Sequence, residues 1–197
     1  SAGIHRRMRQ IWIPRAGGPE VLEVREAADP EPAAGEVRVQ VEAVGVNFAD
    51  CAARLGNYPD APPFPCVMGY EVAGTIDKVG VGVDGSRVGE PVLAMTRFGG
   101  YSSVLCAPSQ AVLRRPEGMS ADIGAALPVN YLTAWMLLRV MGRVEAGDRV
   151  LIHSGTVIGS AGRRFFFFPW PRGAFRSSAV TAHSPRESCW RGYRDDR

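Results

Sequence analysis

Between Val37 and Ala43 apolar and polar residues alternate without a fault. Val37, Val39, Val41 and Ala43 fall on one side, and Arg38, Gln40 and Glu42 on the other. A period of two belongs to a strand with one buried face, so all four apolar positions are expected to meet one core. Shorter β-like runs surround it. Arg9–Pro14 and Val21–Glu26 flank the turn Ala16-Gly-Gly-Pro19, and Asp29-Pro-Glu-Pro-Ala-Ala-Gly35 reads as a rigid connector. Val72–Val79 is β-like, with a bend or bulge expected at Gly74. Pro91–Ala94, Tyr101–Ala107 and Ala111–Leu113 complete the set. Several short strands at this spacing predict a small barrel or sandwich rather than a doubly wound sheet.

Helical patterning is confined to two places. Asn47–Leu55 makes a short helix stopped by Gly56, followed by the proline-rich loop Tyr58–Pro65. Ser120 reads as an N-cap for two further stretches, Ala121–Leu127 and Val129–Met141, split by Pro128. Leu132, Trp135, Met136 and Val140 share a face of the second, and that face is expected to be exposed and prone to association. Gly147-Asp148 then turns into a short apolar strand, Arg149–Ser154. Strands, then helices, then a strand place a domain boundary near Pro116–Ser120. The expected fold class is mainly β with an α/β remnant.

A hydrophobic content of 46% is enough for a real core. The net charge of +3 divides unevenly: residues 1–162 carry 15 Lys+Arg against 17 Asp+Glu, whereas residues 163–197 carry 8 Arg against 3 acids. The faintly acidic body gives no reason to expect nucleic acid. Cys51, Cys66, Cys106 and Cys189 are scattered without a Cys-x-x-Cys pair, which suits a reducing, cytoplasmic compartment. No signal-peptide core follows Arg6, Arg7 and Arg9, and no apolar run is expected to reach a membrane span. Ser1–Arg7 reads as an N-terminal extension ahead of Met8.

Four ordered motifs carry a family resemblance. Gly45-Val-Asn-Phe-Ala-Asp50, with Arg54, Gly56 and Tyr58-Pro59, is followed by Pro65-Cys-Val-Met-Gly-Tyr-Glu-Val-Ala-Gly74. Ala125-Ala-Leu-Pro-Val-Asn-Tyr-Leu-Thr-Ala-Trp135 and Gly147-Asp-Arg-Val-Leu-Ile-His-Ser154 come next. Together they resemble the medium-chain dehydrogenase/reductase superfamily, in its zinc-independent quinone oxidoreductase branch. Asp50-Cys-Ala-Ala-Arg54 is most similar to the synaptic-vesicle membrane protein homologues within that branch. The resemblance implies a GroES-like catalytic β-barrel over residues 8–118. Linker helices and the start of an incomplete Rossmann domain would follow over 119–162, and an unrelated basic tail over 163–197. It also implies NADPH as cofactor and hydride transfer to a quinone or an α,β-unsaturated carbonyl.

Within that resemblance, zinc-dependent relatives place a cysteine where Asn47 stands and a histidine where Tyr70 stands. Neither an amide nor a neutral phenol is a good zinc ligand, so no catalytic metal is expected. Carried over from the matching motifs, Asn47 and Tyr58 become donors to the acceptor carbonyl, and Asn130 and Thr133 contacts near the nicotinamide. Many quinone reductases carry a tyrosine at the position of Ala52, and its absence here favours a roomier pocket.

The plainer readings stand beside these. Asn47 ends a strand and starts a helix, so it is equally an N-cap. Asp50 and Arg54, four apart, are expected to form an ordinary ion pair. Tyr58 can be packing, and Thr133 can bond back to its own helix. Glu71 is expected to accept hydrogen bonds inside the barrel. His153 reads as structural, and Cys51, Cys66 and Cys106 as small core residues.

After the last strand, Gly155, Gly159 and Gly162 keep part of a phosphate-cradling loop, but Val157 and Ile158 occupy the region of the usual paired glycines. No second strand and no ribose-binding carboxylate is apparent beyond it. The tail has eight arginines and no lysine, with the run Phe165–Phe168 and Phe168-Pro-Trp-Pro-Arg172. That composition matches GC-rich coding DNA read out of frame, so truncation or a frameshift after the first Rossmann strand is expected. A genuine alternative C-terminus or an interfacial aromatic–basic anchor is the other reading of the same residues.

Two functions follow. One is an NADPH-dependent, zinc-independent reductase of a small quinone or enone, with this chain expected to be inactive alone. The other is a non-catalytic barrel acting as a binding or scaffold module. A homodimer, or association through the incomplete cofactor domain, is the expected assembly.

Overall fold

The structure, a computed structural model, describes residues 7–145, 148, 150–152 and 175–177. The chain divides into two compact units, Ser1–Val129 and Asn130–Arg197. In the first unit β1 (Arg7–Trp12) and β2 (Glu23–Ala28) form an antiparallel hairpin. The other strands are β3 (Glu36–Val44), β4 (Glu71–Val79), β5 (Pro91–Met95), β6 (Val104–Pro108) and β7 (Val112–Arg114). They build a five-stranded antiparallel sheet in the order β6-β3-β4-β5-β7, the curled half-barrel of a GroES-like domain. The hairpin is tied to the rest by bridges from Gln10 to Ser102 and from Ile13 to Cys66.

The alternation in β3 holds only as far as Val41. Val37 and Val39 are fully buried in a core with Val72, Ile76, Val92 and Leu105, and Val41 packs against it. The pairing register then slips between Val41 and Ala43, which leaves Glu42 as the extra residue of a bulge. One inserted residue inverts the side-chain parity beyond it. Ala43 therefore faces away from that core, and Val44 takes its place there. Ala43 instead meets Ala73 and Leu93 under Ala121 and Ala125.

The bulge expected at Gly74 thus lies on the neighbouring strand, and β4 runs through Gly74 unbroken. The glycine has a different cause: a Cβ at Gly74 would collide with the carbonyl oxygen of Gln40.

Ser120 accepts from the Ile123 N–H and caps α2 (Ala121–Ala125), which packs on β3 and β4. Then comes α3 (Pro128–Trp135), continued by a π-helical stretch, Met136–Met141. Pro128 does not merely split two helices; it opens the second, where its missing N–H costs no hydrogen bond. Leu132, Trp135, Met136 and Val140 are exposed, as their shared face leads one to expect.

Ala121–Met141 is long and apolar enough, by length and composition alone, to cross a bilayer. The expectation that no run approaches a span therefore fails on those criteria. Within that segment α2 packs on the sheet through Ala121 and Ala125, whereas the apolar residues of α3 and the stretch after it are largely exposed. In the second unit β8 (Val150–Ile152) pairs in parallel with β9 (Phe175–Ser177), so a second strand does follow the first. His153, Gly155, Gly159, Gly162, Cys189 and most of the basic tail lie outside the described residues.

Candidate functional site

Past the end of β3 the chain turns through Gly45 and Val46 into α1 (Phe48–Arg54). Asn47 is the N-cap, with the extended backbone that such a residue adopts. Asp50, three residues on, reaches back with Oδ2 to accept the Asn47 N–H at 2.8 Å. With the Asn47 side chain facing the Asp50 N–H in return, both halves of a capping box are present. Asn47 is therefore a cap by backbone and side chain, and its amide nitrogen has a further partner. Nδ2 donates to Glu71 Oε1 at 2.9 Å. The other carboxylate oxygen, Oε2, accepts the Val129 N–H at the start of α3, at 2.8 Å.

Glu71 is only 1% exposed, the most deeply buried charged side chain among the described residues. It lies inside the barrel and accepts hydrogen bonds, which is the structural role its sequence position suggests. Burial pushes its carboxyl above the ordinary value of 4.5. The Val129 and Asn47 hydrogen bonds pull it back, and the negative Asp50 adds to the rise.

The sign of the linkage follows from the raised pKa. The folded state binds this proton more tightly than the unfolded chain does. Glu71 therefore contributes stability that is fully present below the ordinary glutamate pKa and is lost as pH rises through its raised value. Urea unfolding at a series of pH values should show this decline in the wild type and not in Glu71→Gln. Equal pH dependence of the two proteins would contradict it.

The Asp50–Arg54 ion pair is absent among the described residues. Asp50 Oδ2 is held by the Asn47 N–H, and both Asp50 Oδ1 and Arg54 Nε are buried without a hydrogen-bond partner. Capping outcompetes the i,i+4 contact because Asp50 sits in the first turn, within reach of an open backbone donor. Cys51 is exposed rather than core, since it points outward from the same helix; Cys66 is buried and Cys106 half-buried.

Beneath the helix lies a second core of Ile13, Val21, Ala53, Cys66 and Met68. Tyr58, Tyr70, Phe98 and Tyr101 pack against it. The Tyr70 ring meets Phe98 at 5.6 Å between centroids, tilted by 52°. Tyr70 Oη is buried and has no hydrogen-bond partner. Burial, followed by the neighbouring Tyr58 phenol and the negative Asp50, pushes its pKa well up. Tyr101 is pushed up too, by burial first and by Asp50 next. Both phenols stay protonated far into alkaline pH, so they are hydrogen-bond donors and not bases. Tyr101 and the Val129 N–H carry no local sequence signal for this site. Only the packing of segments distant in sequence brings them to it.

Asn47 and Tyr58 thus belong to the first unit, together with Glu71, Asp50, Tyr70 and Tyr101. Asn130 and Thr133 lie half-buried on α3 in the second unit, one turn apart on the same helix face. Gly155 and Gly159 fall outside the described residues. Among the described residues no three His, Cys, Asp or Glu side chains converge as a metal site would require.

Residues 33–124 match the alcohol dehydrogenase GroES-like domain family. The human synaptic vesicle membrane protein VAT-1 homolog-like is 35% identical over 155 residues, which are 78% of this chain and 37% of that protein. The crystal structure of the human VAT-1 homolog-like protein superposes with a TM-score of 0.77 at 34% identity, covering 81% of this chain and 52% of that one. A mycobacterial protein complexed with NADPH gives a TM-score of 0.72 at 33% identity, over 81% of this chain and 49% of its own. A mycobacterial quinone oxidoreductase gives 0.68 at 33%, over 81% and 50%. The chain spans little more than a third of the curated relative's length and about half of these solved chains.

Proposed function

Because the chain belongs to the medium-chain dehydrogenase/reductase superfamily, on its quinone oxidoreductase side, we propose that it takes part in the NADPH-dependent reduction of a quinone or an α,β-unsaturated carbonyl without a metal. One observation carries the reading. Asn47 presents a carboxamide held by a buried carboxylate, at a position where the superfamily's zinc enzymes carry a cysteine. An amide beside phenols held in their neutral form is a poor metal site and a good oxygen site.

The barrel residues have separable tasks. Asn47 and Tyr58 donate to the acceptor's carbonyl oxygen and polarise it. Val46 and Phe48, 71% and 88% exposed on either side of Asn47, offer apolar surface that a flat ring would cover. Tyr70 and Phe98 pack beneath the site and exclude water from it. A reduced nicotinamide dinucleotide, when bound, would supply the hydride. Asn130 and Thr133 would hold its carboxamide end, and the amide-plus-hydroxyl pair on one helix face fits that task. Gly155 and Gly159 would hold its phosphates. Cytoplasmic location and self-association through the second unit complete the proposal.

Calorimetric titration of the full chain with NADPH tests the expectation that it is inactive alone, which micromolar binding would overturn. Consumption of the reduced cofactor should depend on added quinone or enone and fall about a hundredfold in kcat in Asn47→Ala. A chain that binds NADPH yet consumes none with either acceptor class is not this reductase. A second reading, a barrel that binds without catalysis, is favoured by one fact. The first unit is compact by itself and already contains Asn47, Tyr58 and Glu71.

A further inference from the structure

Asn47 is useful to a substrate only in one orientation, because the two ends of its amide are chemically opposite. Oδ1 accepts and Nδ2 donates. The neighbour decides between them. Glu71, when ionised, only accepts, and both of its oxygens are already engaged: Oε1 by Asn47 Nδ2 at 2.9 Å, Oε2 by the Val129 N–H at 2.8 Å. Turning the amide over would set Oδ1 against a carboxylate oxygen, two buried acceptors with no hydrogen between them.

Glu71 has no room to retreat from this contact. Its Cγ and Oε1 fill the space that the absent Cβ of Gly45 leaves open, and the Gly45 N–H donates to the Glu71 carbonyl at 3.0 Å. The slot, the carboxylate and the amide are thus a single rigid stack on the turn that follows β3.

We infer that Glu71 is a positioning residue that locks the Asn47 carboxamide, leaving the second Nδ2 hydrogen as the donor offered to the acceptor's carbonyl oxygen while the other end of the side chain faces the Asp50 N–H of its capping box. The inference rests on the reductase reading for its purpose but not for its geometry. Glu71 touches no substrate; it acts through Asn47. Through Oε2 the same side chain also fixes the first turn of α3, so the donor at Asn47 and the start of that helix share one anchor.

Glutamine at position 71 tests the lock because it has one acceptor oxygen where two donors need one each. The arrangement that keeps both contacts of residue 71 gives Gln Oε1 to the Val129 N–H and Gln Nε2 to Asn47 Oδ1, which turns Asn47 over at the expense of the side-chain half of its capping box. Side-chain amide NMR of the full chain, with the Asn47 signal assigned by its loss in Asn47→Ala, reads this directly. In the wild type one Asn47 Nδ2 proton should lie downfield and exchange with solvent at least fivefold more slowly than exposed side-chain amides. In Glu71→Gln that downfield proton should disappear.

A wild-type Asn47 amide with ordinary shifts and exchange overturns the lock whether or not the variant folds. A downfield proton that persists in folded Glu71→Gln also overturns it. Kinetics supply the second arm. Glu71→Gln should lower kcat at least tenfold with NADPH affinity unchanged, and the Glu71→Gln/Asn47→Ala double variant should be no slower than Asn47→Ala alone. Additive losses would mean that Glu71 acts otherwise than through Asn47. NADPH binding without any turnover, with the amide signature intact, would sink the reductase reading and leave the lock standing.

Discussion

Gly45→Ala should lower the unfolding free energy by about 3 kcal/mol, at the upper end of ordinary overpacking. The backbone at Gly45 is not left-handed, so the cost is steric rather than conformational. A Cβ there would collide with the Ala125 carbonyl oxygen and with Cγ and Oε1 of Glu71. The first is backbone at the end of α2, whose Ala121 and Ala125 are packed on Ala43, Ala73 and Leu93, so it moves only if the helix lifts. The second is a buried side chain held at both oxygens. Neither yields cheaply. The substitution should therefore also release Asn47 from Glu71 and erase the downfield amide proton described above. Urea unfolding followed by circular dichroism measures the first effect. Gly85→Ala is the control, since Gly85 has open space around it and should change stability by no more than about 0.5 kcal/mol. A Gly45→Ala protein as stable as that control would show that the stack is loose.

The second large effect lies in the main core. Ile76→Ala should cost about 2–5 kcal/mol. Ile76 is 1% exposed and is packed with Val37, Val39, Val92 and Leu105 between strands that are paired on both sides. Strands tied in this way cannot close over the missing atoms, so most of the cavity should persist. The denaturation midpoint should fall with its slope unchanged. The Asn47 amide signature, which depends on the other side of β4, should survive. Val24→Ala offers the contrast, because Val24 is 70% exposed and its loss should be close to neutral. A loss below about 1 kcal/mol at Ile76 would mean that the sheet collapses freely around it.

Much of the barrel was legible in the pattern of residues because strands write their burial locally. The strand at Val37–Val41, the helix after Asn47, its stop at Gly56 and the cap at Ser120 all follow from neighbours within a few positions. Gly56 has φ near +76°, the conformation for which a glycine is expected at a helix end. The places where expectation and structure part have a common cause. Ala43 changed faces because of a bulge whose extra residue, Glu42, looks like any other polar strand position. Asp50 left Arg54 because a backbone N–H at Asn47 stood closer than the expected partner. Cys51 is exposed because of how α1 is turned on its second core, which its own seven residues do not specify.

The candidate site divides in the same way. Asn47 and Tyr58 stand out through the motifs that contain them, and Glu71 through being a carboxylate in an apolar run. The sequence by itself determined the strands and helices of the barrel, the core-forming alternation of β3 as far as Val41 and the chemical character of the donor set, since each depends on residue identity and short-range periodicity. Only the tertiary structure decided that Glu71 joins Asn47 to Val129, that Gly45 is glycine to make room for that carboxylate, and that Tyr70 and Tyr101 share the space beneath α1. Those contacts link residues 24 and 58 positions apart. No local pattern encodes separations of that length. They exist because pairing β4 with β3 and packing α2 on both brings one buried carboxylate to two donors, the Asn47 amide and the Val129 N–H.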